Sequence, residues 1–493
     1  MFEIPDQTRW RIASRWPSAD AFYAERDDRT VRVIKDLYAY VDRRIEVVVD
    51  PAFADDATVQ RITLVAANLT ARWGRHVRVV MPSDAPLHAD LRRDELTTLA
   101  ERVRREMVMA DPFGDFTVAN ASRSASEGPL RLFIGPWIER PAVVGSEDYF
   151  VHAYGWIAMA RRADVMPRLS DSDVTAGTVA AAGLAGALGA ADLFKRAVGH
   201  GRSSWMPTFS WDTWSSKLRL GASAWSFIEK RPAPATLELE RALLAGVGAI
   251  GSAFIYLADM MPIAGILTLL DRDNIEITNL NRSPLFNVLH ALDESLKTDA
   301  AAAYVMRHGL QVTRVQGMWR QHAPELGAIP FDVWISLTNE DGAWAEVPFQ
   351  LPPLVLHGTT TSGWGFGAGR HIPRVEDCTL CRMPRPATEF RGPCAEGEIA
   401  PTGDGDAVRA SLPFLSTASA ALLLAFCLQL QWGAQAGELP NDVSADIGVG
   451  LPAVVALTRG PTGGCRGCRA LQSAAWLRRG GRGRFAGLSL RSR

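Results

Sequence analysis

The stretch that decides the fold covers residues 245–286 and reads AGVGAIGSAFIYLADMMPIAGILTLLDRDNIEITNLNRSPLF. A short apolar run precedes a Gly-x-Gly-x-x-Gly motif formed by Gly246, Gly248 and Gly251. Such a run is typical of a buried parallel strand, and glycines at this spacing let backbone N–H groups approach phosphate at a helix N-terminus. A second apolar run ends at Asp271. The pattern predicts a dinucleotide-binding type of α/β fold, in which that acid accepts ribose hydroxyls.

The residues after the second strand favour ATP over NAD as the nucleotide. Asp271 and Asp273 are followed by Asn279-x-x-Arg282 and then by Lys297. An arginine and a lysine are the charged donors expected for a triphosphate, whereas NAD needs no such pair. We therefore expect Arg282 and Lys297 to contact the β- and γ-phosphates, with Asp273 serving the ribose or a metal ion.

In combination these motifs resemble those of the ThiF/MoeB/ubiquitin-activating-enzyme superfamily, over roughly residues 237–471, and most of all a bacterial activating enzyme for a ubiquitin-like protein. The resemblance implies a Rossmann-like domain that uses ATP and Mg²⁺ to adenylate the C-terminal glycine of such a protein. It implies catalytic roles for Arg282 and Lys297. It also implies nucleotide contacts from Gly246, Gly248, Gly251, Asp271, Asp273, Asn279, Arg282, Lys297 and Asn339.

One position departs from the family pattern. Members of the superfamily usually place a Mg²⁺-binding aspartate after the strand predicted here over 331–338, and this chain has Asn339 instead. A neutral carbonyl holds Mg²⁺ more weakly than a carboxylate does. Either Glu340 or Asp341, which follow directly, supplies the charge, or Asn339 binds the metal with reduced affinity.

Four of the six cysteines form two Cys-x-x-Cys pairs, Cys378 with Cys381 and Cys465 with Cys468. Two such hooks can close a tetrahedral Cys₄ zinc site, which would join two distant segments of the chain. Disulfides or buried thiols are the alternative, and the absence of a secretory signal favours Zn²⁺. Cys427 lies in an apolar helical stretch and is expected in the core.

Cys394 is the candidate nucleophile. It lies in a Gly- and Pro-rich stretch that resembles the crossover loop of the superfamily, placed here around 382–411. In conjugating members a cysteine of this loop accepts the activated glycine as a thioester and passes it to a conjugating enzyme. A thiolate is the reactive form, so nearby Arg391 would favour the reaction, while Glu396 and Glu398 would oppose it. A spare zinc ligand or an inert thiol are the other interpretations.

The N-terminal half predicts a second α/β domain without a glycine motif. Strands over 45–49, 77–81 and 130–135 alternate with helices over 57–73, 90–109 and 173–198, which is typical of a parallel sheet. We expect domains over 1–235, 236–477 and an Arg- and Gly-rich tail over 478–493. The fold class is therefore α/β. The resemblance to the activating-enzyme superfamily implies a C-terminal Rossmann-like adenylation domain with a Cys₄ zinc site, and the first half looks like the degenerate, inactive adenylation-like domain that precedes it in such enzymes. A dedicated carrier-binding module is the alternative for the first half.

Composition places few further bounds on the function. The 53 basic and 54 acidic residues give a net charge of −1, which offers no reason to expect nucleic acid or an anionic membrane as a partner. The N-terminus lacks the basic and apolar regions of a signal peptide, and the apolar stretch 412–432 is interrupted by polar residues. We expect a cytoplasmic protein that forms a homodimer and binds a ubiquitin-like carrier ending in glycine and a conjugating enzyme.

Three other functions remain open from the sequence. A sulfur-carrier adenylyltransferase of the thiamin or molybdopterin type would use the same ATP site without a thioester on Cys394, so detection of a reducible adduct separates the two. A nicotinamide-dependent oxidoreductase is disfavoured by Arg282 and Lys297, and cofactor titration would decide it. A catalytically silent binding protein of the same fold is kept open by Asn339, and ATP–pyrophosphate exchange would decide that.

Overall fold

The computed structural model describes sixteen segments of the chain, which carry every structural statement below. They are residues 4–28, 41–93, 95–120, 129–139, 141, 144–163, 176–199, 205–221, 231, 234–338, 343–350, 352–361, 364–382, 412–434, 437–448 and 452–471.

Sixteen strands are found in these segments, eight in each of two sheets. The first sheet holds β1 Arg44–Val49, β2 His76–Val80, β3 Asp115–Ala119, β4 Leu130–Ile134, β5 Tyr149–Tyr154, β6 Ile157–Arg162, β7 Phe209–Asp212 and β8 Lys217–Leu220. The second sheet holds β9 Leu237–Ala245, β10 Ile263–Asp271, β11 Gln311–Gln316, β12 Val333–Ser336, β13 Leu354–Thr360, β14 Gly365–His371, β15 Asp442–Asp446 and β16 Ala453–Leu457.

Thirteen α-helices connect and cover these sheets in the described segments. They are α1 Asp6–Arg15, α2 Ala19–Arg26, α3 Ala57–Ala71, α4 Leu99–Ala110, α5 Val179–Ala197, α6 Ala249–Ala258, α7 Val288–Leu292, α8 Lys297–Val305, α9 Trp319–Leu326, α10 Ala343–Glu346, α11 Thr379–Arg382, α12 Pro413–Gln431 and α13 Arg466–Leu471.

The two sheets have the same topology. The strand order is β3-β2-β1-β4-β5-β6-β7-β8 in the first and β11-β10-β9-β12-β13-β14-β15-β16 in the second. In each sheet the first five strands in this order are parallel and the last three continue it as an antiparallel meander. The order 3-2-1-4-5 of the parallel part is that of a doubly wound nucleotide-binding fold. The predicted α/β fold with two related halves is thereby confirmed, whereas the domain boundaries stay predictions.

The pairing of the strands shows which residues correspond in the two halves. Val49 pairs with Ile134 at the end of β1 and β4, and Ala245 pairs with Ser336 at the end of β9 and β12. The residue that follows each first strand, Asp50 or Gly246, therefore occupies the same place in its own half.

Two predicted elements end differently in the structure. The helix expected over 90–109 begins only at Leu99, because residues 89–91 form a 3₁₀ turn and Pro86 bridges to Thr98. Thr98 caps this helix and Glu101 closes a capping box, which is a local start signal. The helix expected over 173–198 spans Val179–Ala197.

Helix α5 lies at the centre of the molecule and joins the two halves. Its three glycines each face another element: an added Cβ would lie 2.8 Å from Leu257 of α6 at Gly183, 2.8 Å from Val65 of α3 at Gly186, and 2.9 Å from Leu132 of β4 at Gly189. Helix α12 packs against both α5 and α6. This small-residue helix therefore packs closely against its neighbours, and one hydrophobic core runs through both halves.

Helix α12 is long and apolar enough to cross a membrane by length and composition alone. Every residue of its most apolar window is buried inside the protein, as in the core helix of a soluble protein. Cys427 lies in this helix and is 3% exposed, so its predicted place in the core is confirmed.

Candidate active site

The candidate site lies at the carboxyl ends of β9, β10 and β12. The chain leaves β9 toward β10 on one side and reaches β12 on the other, so the strand order reverses between β9 and β12. Ligands of open α/β sheets bind at such a switch point, outside the carboxyl ends of the strands. The glycine motif predicted from the sequence begins directly after β9, at this edge.

The turn between β9 and α6 requires two of its three glycines. Gly246 has φ +97°, and a Cβ there would lie 2.6 Å from the backbone carbon of Leu337 and from the amide nitrogen of Thr338. A Cβ on Gly251 would lie 2.2 Å from the carbonyl oxygen of Gly246. These contacts hold the turn tightly between the end of β12 and the first turn of α6.

Gly248 differs from the other two glycines because it faces open space. It is the N-cap of α6 and has no side chain to cap the first N–H groups of the helix. No atom among the described residues lies within 4 Å of a Cβ added at this position. The turn therefore leaves room for a phosphate beside uncapped backbone donors.

Asp271 fixes the turn from the neighbouring strand. Its Oδ2 accepts a hydrogen bond from the amide of Val247 at 2.6 Å, and its Oδ1 accepts one from the amide of Asp273 at 2.9 Å. Burial raises the pKa of this carboxyl group, while Lys297 and the two amides act in the opposite direction. Each oxygen keeps a second acceptor position, so the carboxylate can hold the turn and also accept a ribose hydroxyl.

Asp273 and Lys297 form the charged part of the site. The Nζ atom of Lys297 lies 2.8 Å from Oδ2 of Asp273, and Arg272 contacts Oδ1 at 3.1 Å. Burial alone would raise the pKa of Asp273, but the hydrogen bond and charge of Lys297, with Arg272, lower it. Lys297 is only 7% exposed, so its ammonium group is held at the site. Hydrogen bonds thus link Val247, Asp271, Asp273 and Lys297 in one series.

Arg282 lies on the adjoining loop, and Asn279 shapes that loop. The side chain of Asn279 accepts a hydrogen bond from the amide of Glu276 at 3.0 Å and closes a 3₁₀ turn over residues 277–279. The Nη1 atom of Arg282 donates to the carbonyl of Thr278 at 3.0 Å. The capping contact of Asn279 is a structural role that the sequence analysis did not assign.

Four predicted residues lie outside the described part of the chain. Cys394 falls within residues 383–411, and Asn339, Glu340 and Asp341 fall within residues 339–342. Their expected roles, as nucleophile and in the Mg²⁺ site, therefore stay predictions.

The predicted cysteine cluster is present. The four sulfur atoms of Cys378, Cys381, Cys465 and Cys468 all lie within 4.8 Å of one another. Three of the separations are 3.9 Å (378–381), 3.5 Å (378–465) and 3.4 Å (381–468). A tetrahedral Zn²⁺ with Zn–S bonds of about 2.3 Å places its sulfurs about 3.8 Å apart. The set therefore fits zinc, and it ties α11 to α13.

Beside the cluster, an ion pair anchors the end of α11. Arg382 contacts the two carboxylate oxygens of Asp377 at 2.7 and 2.9 Å, and its guanidinium also donates to the carbonyl of Asn441 at 3.1 Å. Asp377 also accepts from the side chain of Asn441 at 3.3 Å. This ion pair fixes the residue at which the stretch 383–411 begins.

In the first half, carboxylates stand where the second half has its glycine turn. Asp50 accepts hydrogen bonds from the amides of Trp137 at 2.8 Å and Ala52 at 3.2 Å. Asp56 caps α3 by accepting from Thr58 and Val59 at 2.8 and 3.0 Å. The glycine that makes a close backbone contact also follows a different strand: it follows β9 in the second half and β4 in the first.

In that contact, Gly135 at the end of β4 has φ +125°, and a Cβ there would lie 2.5 Å from Cβ of Asp50. By register, Met81 corresponds to Leu270, and Pro82 corresponds to Asp271, the last residue of β10. Anion-binding donors are therefore already occupied in this half. The Asp50-Pro51 and Asp56 pattern was a sequence signal for these caps that the sequence analysis did not use.

Comparisons with known proteins agree with a division of the chain into two parts. The model of the ThiF family matches residues 223–329, and the model described as the BilD N-terminal domain matches residues 44–206. The first match contains the glycine turn, Asp271, Arg282 and Lys297, and the second contains β1 to β6. Among curated proteins no sequence matches the chain.

Solved structures of E. coli MccB are similar to part of the chain. MccB with SeMet MccA matches at 16% identity and a TM-score of 0.36, over 47% of this chain and 67% of the other. MccB with ATP matches at 16% identity and a TM-score of 0.36, over 47% of this chain and 68% of the other.

Proposed function

We propose that this chain, whose residues 223–329 match the model of the ThiF family, is an ATP-dependent adenylating enzyme that activates the C-terminal glycine of a ubiquitin-like protein. The observation that carries the proposal is the uncapped glycine turn at the switch point, with the linked carboxylates and Lys297 beside it. Open donors, a ribose-accepting acid and a fixed ammonium group are what a nucleoside triphosphate needs.

In the first step a carboxylate oxygen of the carrier's terminal glycine attacks the α-phosphorus of ATP. The bond from that phosphorus to the oxygen that bridges to the β-phosphate breaks, and pyrophosphate leaves with the electron pair. Asp271 holds the ribose while the amides at the start of α6 approach the phosphates. Lys297 and Arg282 neutralise the charge that grows on the leaving pyrophosphate, so that positioning and charge supply the rate. Mg²⁺, which we assign to the region of Asn339, Glu340 and Asp341, would supply further positive charge.

Lys297 must exchange one partner for another in this step. In the structure its Nζ pairs with Asp273. Asp273 is about half exposed at its side chain, so it can turn to a ribose hydroxyl or a metal ion when phosphate oxygens approach the lysine. The ion pair therefore keeps the ammonium group at the site, where it can bind a triphosphate.

In the second step we propose that the thiolate of Cys394 attacks the acyl-adenylate. A thioester forms, the bond between the acyl carbon and the phosphate oxygen breaks, and AMP leaves. A conjugating enzyme would then take the carrier from this cysteine. The stretch 383–411 that contains Cys394 begins at the anchored Arg382 and ends just before α12, so both of its ends belong to the same half as the ATP site.

The first half serves as an inactive partner of the ATP-binding half in this proposal. Asp50 and Asp56 occupy the backbone donors that a phosphate would need, and their charge would repel it. We propose the divisions 1–235, 236–477 and 478–493 for the three parts of the chain. The zinc site would join α11 to α13 within the second part, a homodimer stays a prediction, and the cytoplasm is the proposed location.

Mass spectrometry of the carrier tests this function. A ubiquitin-like protein with a terminal glycine, incubated with the chain, ATP and Mg²⁺, should gain the mass of an adenylyl group, which is AMP less one water. A carrier without its last glycine should acquire none. A chain that binds ATP but leaves every tested carrier unmodified, including carriers from neighbouring genes, would contradict the proposal.

A further inference from the structure

The loop that carries Arg282 is held by a residue of the other half. Arg72 follows the last residue of α3 and is 2% exposed. Its Nη2 donates to the carbonyls of Pro284 at 2.7 Å and Phe286 at 3.0 Å, and its Nη1 donates to the carbonyl of Leu280. One guanidinium thus binds the loop on both sides of Arg282.

Asn68, one turn earlier on α3, supports the same contact. Its side-chain oxygen accepts from Nε of Arg72 at 2.8 Å, and its side-chain nitrogen donates to the carbonyl of Pro284 at 3.2 Å. The two side chains therefore share one loop carbonyl and orient each other.

Leu280, Leu285 and Phe286 pack the loop into the core, whereas its contact with Arg72 is polar. A cavity of about 350 Å³ separates the loop from α4, and Arg72, Pro284 and Phe286 line it. Apolar packing against α4 is therefore incomplete here. Without the guanidinium, the carbonyls of Leu280, Pro284 and Phe286 would each lose a charged donor.

The charge on Arg72 persists in spite of its burial. Burial lowers the pKa of its guanidinium to about 10, while Tyr256, Tyr304 and Glu106 act in the opposite direction. At neutral pH the group is still ionised, so its hydrogen bonds to the carbonyls are charge-assisted. Lysine could not replace it fully, because three donors on one nitrogen cannot form the same planar fork.

We infer that Arg72 is a positioning residue for ATP, which lets the first half set the place of Arg282 although it binds no nucleotide. The inference rests on the proposed function, since it gives Arg282 a phosphate to bind. It assigns the first half a task in the reaction, namely to hold the arginine loop of the second half at the triphosphate.

The test compares Arg72→Met with a matched control on the same helix. Arg61 of α3 also reaches the second half, where its Nε donates to the carbonyl of Met260 at 3.1 Å, away from the Arg282 loop. We expect Arg72→Met to raise the KM for ATP in carrier-dependent pyrophosphate exchange about tenfold or more, as loss of charged hydrogen bonds predicts. Its kcat at saturating ATP should fall less. Arg61→Met should leave the KM unchanged, and Arg72→Lys should restore part of the loss.

Reference variants separate failure of the inference from failure of the function. Pyrophosphate exchange by Arg282→Ala should no longer saturate with ATP. If this variant behaves like the unchanged protein, the proposed nucleotide site is wrong. If Arg282→Ala is impaired while folded Arg72→Met keeps the original KM, or if Arg61→Met raises the KM equally, the inference is overturned. Should Arg72→Met fail to fold, Asn68→Ala replaces it, with a smaller rise in KM expected and an unchanged KM as the contradicting result.

Discussion

Asp50 and Gly246 occupy the same place in the two halves of the chain. Each directly follows the first strand of its sheet in chain order, β1 or β9. The pairs Val49–Ile134 and Ala245–Ser336 set this equivalence. Where Gly246 gives the chain a tight turn with open donors, Asp50 fills the donors itself. This difference, Asp50 against Gly246, thus distinguishes the half that cannot accept a phosphate from the half proposed to accept one.

Gly248→Ala should keep the fold and weaken ATP binding. Space for a methyl group exists in the unliganded turn, but it is the space that a phosphate would take. We expect the Kd for ATP, measured by calorimetry, to rise about tenfold or more, with little change in the melting temperature. Gly460→Ala, another position with no described atom near an added Cβ, is the control. Equal ATP affinity in both variants would place the phosphate elsewhere.

Gly246→Ala should behave in the opposite manner and destabilise the turn itself. A Cβ there would meet backbone atoms at 2.6 Å, and φ +97° is costly for alanine. We expect a loss of about 2–4 kcal/mol in unfolding free energy, measured by chemical denaturation. A variant as stable as Gly248→Ala would show that the turn is not held as tightly as the contacts with Leu337 and Thr338 indicate.

The purified chain should contain about one equivalent of zinc. Cys465→Ser should reduce the zinc content and lower the thermal stability, because the metal ties α11 to α13 and its binding contributes directly to folding. Cys427→Ala removes a buried thiol of α12 outside the cluster and should retain the metal. Metal-free, folded, reduced protein would refute the site.

Acidification below pH 6.5 should destabilise the first half through His152. Burial, and then the charge of Arg161, lower the pKa of this imidazole from 6.5 to about 3. As pH falls below 6.5 the unfolded chain takes up a proton that the folded chain refuses until about pH 3, so stability is lost across that interval. His152→Leu should reduce the loss by on the order of a few kcal/mol, measured as denaturation midpoints against pH. His76→Leu, on the partly exposed side of β2, is the control, and an equal slope in all three proteins would contradict this account.

The central parallel strands of both sheets (β1, β2, β4, β9, β10 and β12) could be predicted from the sequence because continuous apolar runs are a strong signal, whereas the parallel strands β3, β5, β11 and β13 were missed. The residues 45–49 and 266–270 are examples, and both lie inside observed strands. The antiparallel strands were missed because β14 is rich in glycine and β15 has an acid at each end with small residues between, which are weak strand patterns.

Some features of the candidate site could likewise be predicted from the sequence, and others could not. Motif spacing pointed to the glycine turn, Asp271, Lys297 and the two Cys-x-x-Cys pairs, because each motif has a recognisable spacing along the chain even where its partners are distant. The role of Arg72 could not be predicted, because its partners are backbone carbonyls more than 200 residues away and carry no sequence signal. The capping contact of Asn279 was hidden by its place in the nucleotide motif.

Carrier-dependent ATP–pyrophosphate exchange tests the central claim most directly. The unchanged chain should exchange label only when a ubiquitin-like protein with a terminal glycine is present, and Cys394→Ala should keep this exchange while losing any reducible carrier adduct. Lys297→Met should abolish it, whereas Lys217→Met, on the edge strand β8 of the first half, should not. Exchange that survives Lys297→Met and Arg282→Ala, or that never occurs with any carrier ending in glycine, would contradict the assignment of this site to adenylation.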